Sequence, residues 1–416
     1  MNQYFALLKN RPHMRTLWLA QVISLTGDWF NTIASVILVN RYLGDSELAV
    51  GLLFLSRSLP LFLLSPVAGV IADRFDRKNI MIVSNFLRVF VVLGFLTVNS
   101  EDSAWLIYAL SILQFGISAF FEPAFAAIVP ALVERDELLT ANTLSSITWS
   151  AMLTIGSVVG GIVASLFGVQ VALIVDAATF AIAGGLVMLI ILPPEANEIP
   201  VESSTHFSDL IEGFRYVRRN PDVGIVTLAK GAMQITGSVD VIAAIYATKI
   251  FIVGEDGATT LGLLFMAHGF GAVLGPLLGD RMTDRSEGSL KDWISIGFGL
   301  SVVGWVLLAV APNLFIAWCA MVLRGMGGSI NWTYSSVLIQ MKVPDNFLGR
   351  VFGLDFTLFT LGLSVAVIIP GLVMDEFSIT PRRFVLYIAA ATFIVLLAWI
   401  SALRIKTPAP ASAAAD

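Results

Sequence analysis

Charge is what this chain has least of. Only 13% of its 416 residues are Asp, Glu, Lys or Arg, while 57% are hydrophobic and the mean hydropathy is +0.84. An ordinary soluble domain carries about a quarter charged residues, so this chain lacks the polar surface to cover itself in water. It also has a single cysteine, Cys319, inside an apolar run. That excludes an intramolecular disulfide and a cysteine-cluster metal site, and Cys319 reads as packing. Histidine is scarce too: His13 and His206 lie in polar segments, and His268 is a lone residue in an apolar one. No His-Glu-x-x-His, Gly-x-Ser-x-Gly or Gly-x-x-x-x-Gly-Lys-Ser/Thr is present, so a metallohydrolase, a serine hydrolase and an ATP-driven pump all lack their residues. No metal, no cofactor and no enzyme activity are expected.

What is abundant is long apolar runs. Runs of about 20 residues, enough to cross a ~30 Å hydrocarbon layer, recur along almost the whole chain. They are too long and too uniformly apolar for barrel strands, and backbone groups in lipid must be satisfied within their own segment, so they should be helices. Spans are expected at about 16 to 40, 48 to 72, 79 to 99, 104 to 131, 141 to 168, 170 to 192, 222 to 250, 259 to 279, 290 to 311, 314 to 341, 348 to 374 and 383 to 404. The fold class is therefore an all-α polytopic membrane protein with twelve transmembrane helices. The basic segment with Lys9, Arg11 and Arg15 leads into the first span without a small-residue cleavage site, which reads as an uncleaved anchor. The net charge of −5 says little, because in a membrane the placement of charge matters more than its sum. No nucleic-acid partner is expected.

The longest internal hydrophilic interval opens at Pro193-Pro194 and closes at Asn220-Pro221. It divides the chain into a six-helix bundle over 1–192, a linker over 193–221 and a second six-helix bundle over 222–404, with an Ala- and Pro-rich disordered tail over 405–416. Phe207, Ile211, Phe214 and Val217 in the linker have the spacing of a short surface helix. Most of the 25 Lys and Arg fall at the ends or on loops of the same side, which places both termini in the cytoplasm. Only Arg41, Lys249, Arg382 and Arg383 fall on the opposite loops, and Arg57, Arg88, Lys230 and Arg324 fall inside spans. A repeat links the halves: Gly69-x-x-x-Asp73-Arg74 after the second span is echoed by Gly275 to Asp280-Arg281, then Asp284-Arg285, after the eighth. Two such halves form a pseudo-symmetric pair, with a binding site expected between them.

Gly69, Asp73, Arg74, Arg77 and Lys78 resemble the signature loop of the major facilitator superfamily, Gly-x-x-x-Asp-Arg-x-Gly-Arg-Arg/Lys, with Asp76 in place of its second glycine. The chain resembles that family over its full length, and most closely the macrolide-efflux and enterobactin-exporter branch of drug:proton antiporters. The residues that carry this are Gln21, Ser24, Gly27 and Asp28 in the first span, Glu122-Pro123-Ala124 in the fourth, Asp176-Ala177-x-Thr179-Phe180 in the sixth, and Val343-Pro344-Asp345 with Gly349-Arg350-Val351-Phe352-Gly353. Gly156-Ser157-Val158-Val159-Gly160-Gly161 departs from the exporters' Gly-Pro-x-x-Gly-Gly, and the helix-4 arginine of proton-coupled exporters is missing at Leu113-Gln114-Phe115-Gly116. Gly156, Gly160 and Gly161 are small-residue helix contacts.

Two sets of site residues follow. A gate at the cytoplasmic mouth would use Gly69, Asp73, Arg74, Arg77, Lys78, Asp280, Arg281, Arg350 and Asp355, with Asp73 set against the N-terminus of the eleventh helix, where a carboxylate is favoured; the bases alone also fit a simple orientation role. Polar stripes at three- and four-residue spacing run along the first span (Gln21, Ser24, Asp28, Asn31, Ser35), the fourth (Gln114, Ser118, Glu122), the seventh (Lys230, Gln234, Ser238) and the tenth (Arg324, Gly328, Asn331, Ser335). The resemblance implies that these four helices line the central cavity. Asp28, Glu122, Arg324, Lys230, Gln21, Gln114, Gln234 and Asn331 are thus expected to contact substrate or couple protons, acids on the first half and bases on the second. The competing reading makes Asp28 and Glu122 structural partners of Arg57 or Arg88. Asp176 and Asp240 read as near enough to the outer helix ends to reach water.

The resemblance implies a secondary active exporter of the cytoplasmic (inner) membrane that moves an amphipathic small molecule (a drug, macrolide or siderophore) by alternating access in exchange for protons. One chain supplies both halves, so a monomer is expected, with the lipid bilayer as its surroundings. Uptake or lipid movement on the same fold is the alternative. A non-transporting receptor has no sizeable soluble domain to signal through.

Overall fold

The computed structural model describes residues 2–44, 46–134, 137–192, 207–284 and 286–404. The expected tail over 405–416, most of the linker (193–206) and Arg285 lie outside the described residues, as do the side chains of Gly69 and Asp73. The described chain contains α1 (Asn2–Asn10), α2 (Pro12–Leu43), α3 (Glu47–Arg74), α4 (Arg77–Gly94), α5 (Trp105–Leu132), α6 (Leu138–Phe167), α7 (Val169–Met188) and α8 (Phe207–Arg219). It continues with α9 (Pro221–Ile235), α10 (Val239–Ile245), α11 (Ala258–Met282), α12 (Glu287–Val310), α13 (Leu314–Lys342), α14 (Asp345–Phe377) and α15 (Pro381–Arg404). Twelve segments are long and apolar enough to cross a membrane, with α9 and α10 sharing one of them. Exposed Phe90, Leu166, Phe315 and Ile394 give the outer surface the apolar face that lipid requires.

Twelve crossings return the chain to the side where it began, here termed the terminal face; the other side is the far face. In the first half α2 packs on α6 and α7, α3 on α5, and α4 on α5 and α7. In the second, α13 packs on α11 and α12, α12 on α15, and α9 on α14. The halves meet through α6 with α11 and α3 with α14.

The apolar core divides along the membrane normal. Toward the far face one cluster takes in both halves, from Ile33, Leu53, Phe95 and Leu173 to Ile242, Phe265, Leu308 and Val367. Toward the terminal face it splits into two, one around Met14, Met81, Ile128 and Val187, the other around Val226, Ile294, Ile330 and Leu338. Helices in lipid are held by close packing and polar contacts, and the shared cluster marks where the halves pack closely, so they are joined at the far face and separate at the terminal face.

Glycine makes the fused end possible. A Cβ on Gly371 would lie 2.3 Å from Leu48 Cα, one on Gly51 2.5 Å from the Val367 carbonyl, and one on Gly161 2.6 Å from the Ala258 carbonyl. Gly156 and Gly160 serve the same purpose within the first half, against Trp29 and the α2 backbone. Ser157, which stands where exporters carry proline, donates to Leu153 O at 2.6 Å and across the seam to Gly262 O at 3.3 Å.

The structure departs from the sequence reading in two places. The seventh span is broken: α9 ends at Ile235, and Gly237 lets the chain pass 2.9 Å or less, measured to a hypothetical Cβ, from Trp305 and Ile388. Ser238 therefore leaves the expected stripe and caps α10 instead, accepting from Val241 N–H at 3.4 Å. A short helix also precedes the first span: α1 carries Lys9 of the basic segment, and its Leu7 is buried against the first half.

Replacing Gly371 by Val would push the α3 and α14 backbones apart. The variant should lose about 1–3 kcal/mol and unfold at a lower temperature in detergent, whereas Gly185→Ala, with open space around it, should leave the melting curve unchanged.

Candidate functional site

The far face is closed by polar contacts as well as apolar ones, and all of them join the two halves. Arg41 at the end of α2 pairs with Glu255 at 2.6 Å and Asp256 at 2.7 Å. Asp256 holds a left-handed backbone, φ 48°, in the tight turn before α11. Lys249 pairs with Glu47 at 2.8 Å. Asp375, near the end of α14, caps the start of α3: its carboxylate accepts from the Ser46 hydroxyl at 2.8 Å and from the Glu47 and Leu48 N–H groups at 3.1 Å each. A carboxylate there satisfies otherwise orphaned donors and meets the positive end of the helix. Arg41 and Lys249, two of the bases on the wrong side for orientation, are thus members of this closure.

The expected gate residues lie at the terminal face, with one exception. Arg74, Asp280 and Arg281 are exposed and Lys78 is half-buried. Arg77 donates to Ala72 O and to Ala127 O on α5, each at 3.4 Å. Asp76, in the place of the signature's second glycine, accepts from Asn79 N–H at 2.7 Å and caps α4. Arg350 pairs with Glu212 at 3.0 Å and so ties the linker helix α8 to α14, which also touch where Gly213 meets the Arg350 backbone. Asp355 is elsewhere: it lies buried inside the second half, 2.5 Å from Lys230.

In the first half the charged side chains converge at mid-membrane. Arg57 on α3 donates to Thr32 at 2.6 Å and stacks on Phe115. Arg88 on α4 donates to Asn85 at 2.8 Å and to Ser118 at 3.4 Å, and lies against the rings of Phe121 and Phe180. Both guanidiniums act through space on Asp28, and Arg88 acts on Glu122 as well. Glu122 is exposed although its helix is embedded. On a 3.6-residue helix it stands half a turn out of phase with lipid-facing Leu113, so its exposure is to the gap between the halves. Pro123 follows it and removes a helical donor. Gln21 is half-buried and its Oε1 lacks a hydrogen-bond partner; Gln114 is fully buried with both amide atoms unpartnered.

In the second half Lys230 donates to Asp355 and, at 2.9 Å, to Ser336, and its ammonium sits 4.5 Å over the Trp332 ring. Trp332 is 42% exposed and presents this neutral pair's cover to the gap. Gln234 is half-buried beside Gly362. Arg324 and Asn331 are 3% and 1% exposed and are turned toward α12: Arg324 lies over Trp305, and a Cβ on Gly297 would sit 2.6 Å from Asn331 Oδ1. The tenth-span stripe is drawn to α12 because Gly297, Gly304 and Gly327 let the two backbones close. The sequence picture of a basic second half changes accordingly, since Lys230 is neutralised by Asp355 and Arg324 is covered. The expectation for Asp176 is corrected as well: it is fully buried, packed against Gly27 at the level of Asp28. Asp240 is half-buried and lies within electrostatic range of both Arg324 and Arg57, across the halves.

The helical architecture matches a known family, since residues 4–416 fit the model of the transmembrane secretion effectors, a major facilitator family. The chain belongs to that family. Among its relatives, the uncharacterized MFS-type transporter YfiS of Bacillus subtilis is 26% identical over 83% of each chain. The enterobactin exporter EntS of Salmonella choleraesuis is 28% identical over 84% of this chain and 82% of its own. In solved structures, the nucleoside transporter NupG superposes with a TM-score of 0.75 at 16% identity, covering 98% of this chain and all of its own. A bacterial homologue of the lysosomal transporter Spinster gives 0.73 at 14%, covering 96% and 98%. These two show the fold alone. The protein is a multi-pass membrane transporter.

Two outcomes test this geometry. Lys230→Ala would leave Asp355 buried and unpaired, lowering stability by about 3–5 kcal/mol, and adding Asp355→Ala should recover most of that loss in denaturation experiments in detergent. Asp375→Ala removes a cap of about 1 kcal/mol and should raise, several-fold, the maleimide labelling of a cysteine placed at Ala49 behind the closure.

Proposed function

We propose that this transporter exports an amphipathic organic compound, of the drug, macrolide or siderophore kind, across the cytoplasmic (inner) membrane by alternating access and in exchange for protons. The observation that carries the reading is the divided core, one cluster at the far face and two at the terminal face. A molecule so built admits solute from one side only, and exchanging the closed end admits it from the other. The moving units we assign are residues 1–192 and 222–404, joined by 193–221, with 405–416 outside both; one chain is a complete, monomeric machine. The positive charge of the terminal face supports a cytoplasmic position for both termini. The solute would meet Glu122, Asp28 and the Trp332 face. Similarity to enterobactin exporters over most of the chain favours a siderophore among these cargoes.

For gating, the far-face lock of Arg41, Lys249 and Asp375 would alternate with a terminal-face lock in which Asp73 meets the start of α14, close to Arg350, with Arg74, Arg77, Lys78, Asp280 and Arg281 around it. The Asp375 contact and the proposed Asp73 contact would lie at opposite ends of the same two helices, α3 and α14.

Everted vesicles supplied with enterobactin or a macrolide test the reading. Energised vesicles should accumulate the compound, lose that accumulation when the proton gradient is collapsed, and lose about tenfold in rate with Glu122→Gln. Accumulation that survives collapse of the gradient would remove proton exchange from the account, and accumulation only in right-side-out vesicles would make the protein an importer.

A further inference from the structure

Asp176 stands apart from every other charged group in the interior. It has no accessible surface, and neither carboxyl oxygen has a hydrogen-bond partner. The groups that face it come from each helix packed on α7. From α2 there are Asp28 and Asn31, and Gly27, where a Cβ would lie 2.5 Å from Asp176 Oδ1. Arg88 comes from α4, and Arg57 acts from α3. α6 contains no titratable side chain. The Asn31 amide is close enough to bear on the carboxyl, but its nitrogen makes no hydrogen bond.

The nearby bases have been given other partners. Arg88 directs its donors to Asn85, Ser118 and the Ser84 carbonyl and spreads its face on two phenylalanines. Arg57 directs its hydrogen bond to Thr32. A bare carboxylate without donors, in a site closed to solvent, is the arrangement proteins avoid, and protonation removes its charge.

We infer that Asp176 is a proton-binding site of the transport cycle, occupied by a proton while the far face is closed. The site is tied to the seam between the halves by two neighbouring residues of α2. Gly27 lies against Asp176 and Thr179, and Trp29 stacks on Phe265 of α11 at 5.0 Å between ring centroids. Parting the far face removes the Trp29–Phe265 contact and lets this segment of α2 move off α7, which admits water and the guanidiniums to the carboxyl. From that water the Asp176 carboxylate takes up a proton. The O–H is carried as the face closes and gives its proton to water of the terminal-face gap before the far face parts again. This rests on the antiport reading for its role in transport, though not for the existence of the site.

Infrared difference spectroscopy on the full chain in lipid, titrated from acid to alkaline buffer, tests the site without any transported compound. The wild type should show a protonated-carboxyl C=O stretch that is lost on alkalinisation, absent in Asp176→Asn and retained in Asp28→Asn. Asp176→Glu should restore a titrating band at a shifted frequency, which separates loss of the group from loss of the fold. A band unchanged in Asp176→Asn, or one that responds to replacing sodium by choline at constant pH, would overturn the proposal. If the band behaves as expected while export from wild-type vesicles ignores the proton gradient, the antiport reading fails and the site stands.

Discussion

The structure depends on an unequal distribution of apolar burial along the membrane normal. Within the bilayer the hydrophobic effect does not hold helices together against lipid, so contact between the halves has to come from close backbone packing and from polar pairs. Both are concentrated at the far face. Gly51, Gly161, Gly262 and Gly371 bring backbones together there, and Arg41, Lys249 and Asp375 add directional contacts that form only when the halves are in register. At the terminal face the buried clusters are private to each half. One end of the molecule is therefore cohesive between halves and the other is cohesive only within them.

The contact between α3 and α14 bears on how that asymmetry could be reversed in the proposed alternation. The two helices run antiparallel and touch where Gly51 meets Val367. On the far side, the end of α14 supplies the carboxylate that caps the start of α3. The repeat in the sequence puts a second carboxylate, Asp73, at the end of α3, where the start of α14 is its counterpart. Rocking about the crossing would exchange one helix-start contact for the other, so neither end needs more than about 1 kcal/mol per contact for the two states to stay close in free energy.

The spans and their number were legible because hydropathy is a local property, and a lipid-crossing helix has no alternative way to satisfy its backbone. The placement of individual polar residues was less so. The break at Gly237 arises from Trp305 and Ile388, far away in sequence. The Lys230–Asp355 pair joins two residues that spacing had assigned to different tasks. Counting residues from a helix end placed Asp176 near water, but depth in a bundle is set by neighbours, and Gly27 draws α2 over it. The helical α1 was missed because it is only nine residues long and its packing face around Leu7 is completed by other helices. The departure at Asp76 was visible in sequence, but its consequence, a cap for α4, needed the backbone.

The two halves handle buried charge by different means, and this bears on which of them can change state. In the second half Lys230 and Asp355 cancel each other directly, with Ser336 and Trp332 completing the shell of the ammonium. Removing or adding a proton there would unbalance a closed pair, which the interior resists. In the first half the bases are held by hydroxyls, an amide, a carbonyl and aromatic faces, with Arg57 Nη1 left without a partner; none of these contacts consumes a carboxylate, and a desolvated cation on a ring gains about 2 kcal/mol in this way. Asp28, Glu122 and Asp176 therefore sit near positive charge without being bound by it in hydrogen-bonded pairs. Small movements of α2 or α4 alter how strongly that charge is felt, while the bases keep their own partners. A group held in this way can gain or lose a proton without dismantling the fold around it, so the proposed proton exchange would fall to the first half, with the second half as the wall against which it moves.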